Sequence, residues 1–130
     1  MALLYEDITN KILAACFEVS KELGVGFLES VYQNAVIIAL KEKGINTKRE
    51  FPLEVSFHEQ IVGQYYVDIL VEDKIILELK AVNTLTDIHK AQVINYLKAT
   101  GKDVGMLVNF GNPKLEYRRF VNRLKQNIEG

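Results

Sequence analysis

Residues 65–80, YYVDILVEDKIILELK, place charges inside segments whose other residues demand burial. Folding them as an antiparallel hairpin around Glu72-Asp73-Lys74 sets Val71 opposite Ile75 and Asp68 opposite Glu78. Directly opposed residues share a face of the sheet. One face then carries Tyr66, Asp68, Leu70, Ile76, Glu78 and Lys80, and the other Tyr65, Val67, Ile69, Val71, Ile75, Leu77 and Leu79, apolar throughout. A two-residue turn would instead oppose Leu79 to Asp68 and rotate buried residues toward the polar side. The pattern therefore predicts a three-residue turn that gathers two carboxylates and a lysine on one face.

Upstream, the apolar residues at 8, 12, 15, 16, 19 and 23 recur at helical spacing, predicting a helix from Tyr5 to Leu23 that ends at Gly24. A second helix is predicted from near Phe27 to Lys43, its core face drawn from Leu28, Val31, Ala35, Ile38 and Ala39, and the two form a helical hairpin. After Gly44 the period changes to two. Phe51, Leu53, Val55 and Phe57 read as the buried face of a strand that Pro52 assigns to a sheet edge or a strand start. A turn at His58-Glu59-Gln60 leads into the next strand, from about Ile61 to Val71, with a bulge expected near Gly63.

Downstream, Thr84 to Asp87 offers caps for a helix running to about Thr100 and stopped by Gly101. Val104 to Phe110 is a continuous apolar run, the pattern of a strand covered on both sides. Leu115 to Val121 permits either a strand or a helix. The order is ααβββαβ plus one open element, an α/β (α+β) chain with a mixed central sheet flanked by helices.

The 130 residues fit one domain, 1–130, and 48% hydrophobic with 25% charged residues is an ordinary globular composition. No apolar run approaches membrane-spanning length, and the acidic N-terminal segment is unlike a signal peptide, so a cytoplasmic location is expected. Cys16, the single cysteine, excludes an internal disulfide and sits in the apolar stripe of the first helix. A net charge of −1 advertises no polyanion partner. Locally, residues 51–80 carry six acids and two bases, and 101–130 six bases and three acids.

Two carboxylates about 5 Å apart across a strand pair repel each other unless a cation lies between them. Mg²⁺ takes one or two protein carboxylates and fills its remaining positions with water and phosphate oxygens. Asp68 and Glu78 suit that role. Lys80, on the same face, suits the orientation or deprotonation of an attacking water and the offsetting of phosphate charge. The bland reading is a solvated cross-strand face with an ordinary Glu–Lys pair, and the spacing alone does not choose.

D-x9-E-x-K at Asp68, Glu78 and Lys80 resembles the motif of the PD-(D/E)XK nuclease superfamily, and Gln92-x-x-x-Tyr96 resembles the QxxxY motif of its RecB-like and Cas4-like branch. Gly26-x-x-Glu29-x-x-Tyr32 resembles the signature of its GxxExxY branch. The first motif lacks the proline of the superfamily's name, reading Tyr66-Val67-Asp68. The resemblance implies a restriction-endonuclease-like fold and a Mg²⁺- or Mn²⁺-dependent nuclease. Asp68 and Glu78 would be metal ligands, Lys80 the base or stabiliser, Glu29 a further acid at the metal, and Gln92 and Tyr96 residues that orient the site. Tyr32 reads as a structural aromatic and His89 as a surface residue on the Gln92 face. Lys114, Arg118, Arg119, Arg123 and Lys125 suit phosphate contacts or a solvated face equally.

Two functions follow as expectations. One is metal-dependent hydrolysis of phosphodiester bonds in nucleic acid, DNA ahead of RNA, for which a symmetric dimer would cover a duplex better than one copy. The other is a non-catalytic module that binds nucleic acid or protein on the same fold.

Overall fold

The computed structural model describes residues 3–122. Its elements are α1 (Glu6–Leu23), α2 (Glu29–Glu42), β1 (Thr47–Phe57), β2 (Gln60–Val71), β3 (Ile75–Lys80), α3 (Asp87–Thr100), β4 (Val104–Asn109) and β5 (Glu116–Val121). The element left open is thus a strand. The five strands form one sheet in the order β1-β2-β3-β4-β5, with β3 and β4 parallel and the other neighbours antiparallel. Helices cover both faces. The larger apolar cluster joins Ile12, Cys16 and Val36 of α1 and α2 to Ile69, Leu77 and Val108, and the smaller joins Tyr96 and Leu97 of α3 to Leu70 and Ile76.

The central hairpin has the expected register. Val71 pairs with Ile75 and Ile69 with Leu77, around a turn in which Glu72 and Asp73 take left-handed backbone angles. Its faces differ from expectation in two ways. Leu70 and Ile76, assigned to the polar face, are fully buried beneath α3. Val67 packs with them and with Leu53, on the opposite side of the sheet from Ile69, and Tyr65 lies against Tyr96 of α3.

The cause is a kink. Glu50 has a left-handed backbone (φ 51°), and the β1–β2 pairing skips the Glu50–Asp68 position between Arg49↔Ile69 and Phe51↔Val67. Side-chain alternation reverses on both strands there, so residues 51–67 form a ribbon whose phase is opposite to that of the sheet proper. β1 is an edge strand, as Pro52 indicates, but of its expected buried face only Leu53 is buried, while Val55 and Phe57 are exposed. The ribbon's register slips between Val55↔Gly63 and Ser56↔Ile61, which leaves Val62 as the extra residue beside the expected glycine.

α1 buries Ile12, Ala15, Cys16 and Val19 as expected, and burial pushes the Cys16 thiol up to about 12. α2 starts two residues later than predicted and buries Tyr32, Gln33, Val36, Ala39 and Leu40. Leu28 and Ile38, assigned to its core face, are 78% and 60% exposed. The helix is apolar on several sides, so spacing leaves its rotation open. Tyr32 decides it, because the ring stacks on Phe110 with centroids 4.7 Å apart. α3 is capped by Thr86, whose side chain accepts from the His89 N–H while His89 Nδ1 accepts from the Thr86 N–H. His89 therefore has a structural role at this cap. No helix among the described residues is long and apolar enough to cross a membrane.

Candidate active site

The main-chain ladder between β2 and β3 stops at Ile69 and Leu77, and the two carboxylates take over where it ends. The Asp68 N–H donates to Glu78 Oε1 at 2.9 Å, and the Leu79 N–H donates to Asp68 Oδ2 at 2.8 Å. On its other edge β3 stays paired in parallel with β4 along its whole length, where Glu78 faces Leu107 and Lys80 faces Asn109. Each carboxylate spends one oxygen on a main-chain amide. The second oxygens are left to a shared proton or a cation.

Glu78 is only 3% exposed. Burial, reinforced by the Asp68 charge, pushes its carboxyl up to about 8. Asp68 is raised as well, mainly by burial, against the lowering effects of the Leu79 amide, Glu78 and Lys80. At neutral pH the pair therefore retains a proton in the absence of a counter-ion. Two adjacent, under-neutralised carboxylates fit one hard divalent ion, which commonly takes one or two such ligands. No three His, Cys, Asp or Glu side chains converge on a metal position among the described residues, so Glu29 stands beside the pair without closing a cluster with it.

Lys80, partly buried at the end of β3, has its charge felt by Asp68, Glu78 and Glu29, and among the described residues it makes no ion pair. Glu29 begins α2, where partial burial raises its carboxyl against the lowering effect of Lys80. The fields of Asp68 and His89 reach it too. From the other side, Gln92 Nε2 of α3 donates to the Tyr96 hydroxyl at 3.2 Å, and Gln92 Oε1 is buried without a hydrogen-bond partner among the described residues. Burial and then the charge of Glu78 raise the Tyr96 phenol. The fold thus brings Asp68, Glu78, Lys80, Glu29, Gln92 and Tyr96 to one region, where the β2–β3 fork meets the first turn of α2 and the middle of α3.

Tyr32 supports this region without touching the carboxylates. Its hydroxyl donates to the Gly24 carbonyl at 2.6 Å and accepts from the Phe27 N–H at 3.3 Å. That ties down the α1–α2 loop, in which Gly26 has φ +106°, and so sets where Glu29 emerges. The basic residues lie apart: Arg118 and Arg119 are on β5, which β4 separates from β3, and Lys114 precedes that strand. Arg123 and Lys125 lie outside the described residues.

Sequence reasoning missed Gln33. Its side-chain amide, on the buried face of α2, donates to the Asp68 carbonyl at 2.9 Å. Both main-chain groups of Asp68 are thus held by side chains, the carbonyl by Gln33 and the amide by Glu78. The available signal is one polar residue inside the buried stripe formed by Tyr32, Val36 and Leu40. Gln33→Leu is expected to strand the Asp68 carbonyl and destabilise the fold by about 1–3 kcal/mol. A denaturant melt of this variant that overlays the wild type would show the bond to be dispensable.

The architecture and this site define a restriction-endonuclease-like domain carrying an acid, acid and lysine set on adjacent strands. A family model described as the PD-(D/E)XK nuclease superfamily matches residues 6–120. The chain belongs to that superfamily. Among solved structures it is similar to the crystal structure of SSO0001, with a TM-score of 0.58 over 95% of this chain and 16% sequence identity, a likeness of fold. The match covers 66% of that chain, so this protein spans just under two thirds of its relative's length. No curated protein matches.

Proposed function

We propose that this chain is a divalent-metal-dependent nuclease of the GxxExxY branch, a single domain over 1–130 that hydrolyses phosphodiester bonds of nucleic acid, DNA ahead of RNA. The observation that carries the reading is the fork itself. Two carboxylates are interlocked with each other's strand through main-chain amides, each with one oxygen not spent on an amide, and a lysine stands at the next same-face position. A purely structural role would not require a second, repelling acid there.

Mg²⁺ or Mn²⁺, when bound, supplies the charge that lets both carboxylates ionise together and that offsets the phosphate's. Asp68 and Glu78 are the residues that hold it. Lys80 orients the attacking water and balances charge building on the phosphate oxygens. Glu29 adds acidity at the α2 side of the site. Gln92 and Tyr96 orient the substrate backbone from α3.

Purified protein should cleave at least one of single- or double-stranded DNA or RNA in Mg²⁺ or Mn²⁺. Lys80→Ala should slow cleavage by roughly a hundredfold or more while leaving the heat of Mn²⁺ binding in place. If wild type and variant are equally inert on all four substrates, the enzymatic reading fails. The second reading, a non-catalytic binding module, draws support from the small size and near-neutral charge, and it predicts no Mn²⁺ heat that depends on Asp68 and Glu78.

A further inference from the structure

We propose that Tyr65, with the groove between the β1–β2 ribbon and α3, forms a stacking subsite for a nucleobase of an unpaired strand next to the reactive centre. This rests on the nuclease reading and adds a substrate class to it.

Three observations carry the inference. First, the Tyr65 ring is held and presented. It lies tilted against Tyr96, with centroids 5.9 Å apart, yet the residue is 48% exposed. Its edge runs so close over Gly63 that a Cβ there would come within 3.1 Å of the ring. A ring fixed on one side and open on the other is pre-ordered for a planar partner, which reduces the entropy that stacking costs. Second, the groove continues into the catalytic region, because Gln92 and Tyr96 line it as well. Its volume is about 790 Å³. Third, its chemistry suits bases better than phosphates. Val55, Val62 and Ile88 supply apolar wall, whereas Lys98 is the one cation of the lining, opposite a single acid, Glu54.

Base–aromatic stacking is available only to bases out of a duplex and is tolerant of sequence. The phase reversal at Glu50 and Asp68 is what turns Tyr65 to the α3 side. A strand whose phosphate lies at the Asp68–Glu78 fork can therefore rest a neighbouring base on Tyr65, three residues along β2.

The test uses the full chain and oligonucleotides carrying 2-aminopurine, whose fluorescence falls on stacking. In EDTA, where no cleavage is needed, wild type should quench the probe in a single strand and leave a duplex probe unchanged. Tyr65→Leu, which keeps apolar bulk against Tyr96, should bind the single strand roughly tenfold or more weakly, with duplex binding unaltered, and Tyr65→Phe should bind as wild type does. With metal, Tyr65→Leu should raise KM for single strands more than it lowers kcat. Equal losses on single and double strands would overturn the subsite, as would wild-type single-strand binding by Tyr65→Leu, or sedimentation showing the groove closed by a second copy. Quenching at Tyr65 without cleavage of any substrate would sink the nuclease reading and keep the subsite, whereas cleavage indifferent to Tyr65→Leu would do the reverse.

Discussion

Asp68→Asn should lower metal-dependent cleavage by a hundredfold or more and erase the heat of Mn²⁺ binding, with a thermal melt close to that of the wild type. The magnitude is roughly that of losing one electrostatic stabiliser of a phosphoryl transition state, about 10²–10³ in rate. Asn is the informative replacement because its amide oxygen still accepts the Leu79 N–H that Asp68 Oδ2 accepts at 2.8 Å. The β2–β3 fork is then kept and only the negative charge is lost. Ala would remove the acceptor too, stranding a buried amide and mixing a folding defect of about 1–3 kcal/mol into the kinetics. Circular dichroism with calorimetry separates the two effects. Wild-type rates from Asp68→Asn would remove Asp68 from the chemistry.

The metal-free protein should lose stability as pH rises from about 5 to about 8, the reverse of the usual carboxylate trend. Glu78 is the cause: burial first, and the neighbouring Asp68 second, raise its folded-state carboxyl to about 8 from the ordinary glutamate value of 4.5. Between those values the folded chain keeps a proton that the unfolded chain has released, so every rise in pH favours unfolding. The contribution is fully present below the unfolded value and is gone above the folded one. The expected loss is on the order of a few kcal/mol, or a fall in Tm of roughly 5–15 °C.

Glu78→Gln keeps an acceptor for the Asp68 N–H and has no proton to lose, so in EDTA its Tm should stay nearly flat across that window. Mg²⁺ should restore the wild type at pH 8 and do little at pH 5, because ion and proton compete for the same oxygens. Parallel Tm curves for wild type and Glu78→Gln would show that Glu78 does not carry the proton.

Much of the fork was legible in the sequence, because opposed residues in an antiparallel hairpin must share a parity and the apolar run tolerates one turn length. That reasoning placed Asp68 beside Glu78 and left Lys80 on their side. It misplaced Val67 because alternation by two presumes an unbroken pleat, and nothing in the residue type of Glu50 announces a left-handed backbone. The rotation of α2 failed for a different reason: with apolar residues on several sides, the pattern has no clear phase until Phe110, far along the chain, offers Tyr32 a stacking surface. Gln33 went unnoticed because its partner is a main-chain carbonyl, and a main-chain group leaves no mark on the sequence.

The kink at Glu50 and Asp68 also divides the protein into a fixed part and an adjustable one. Inboard of it, one residue added or removed would swing the carboxylates off their amides. Outboard, the ribbon meets the rest of the molecule mainly through Leu53, Val67 and the tyrosine pair, and the turn at His58-Glu59 is exposed. Matched insertions or deletions of one residue pair on each strand near that turn would change the ribbon's reach without disturbing its pairing inboard. Reach and chemistry are thus separable in this fold, and the outer arm can be lengthened to suit a different substrate while the reactive fork stays where it is.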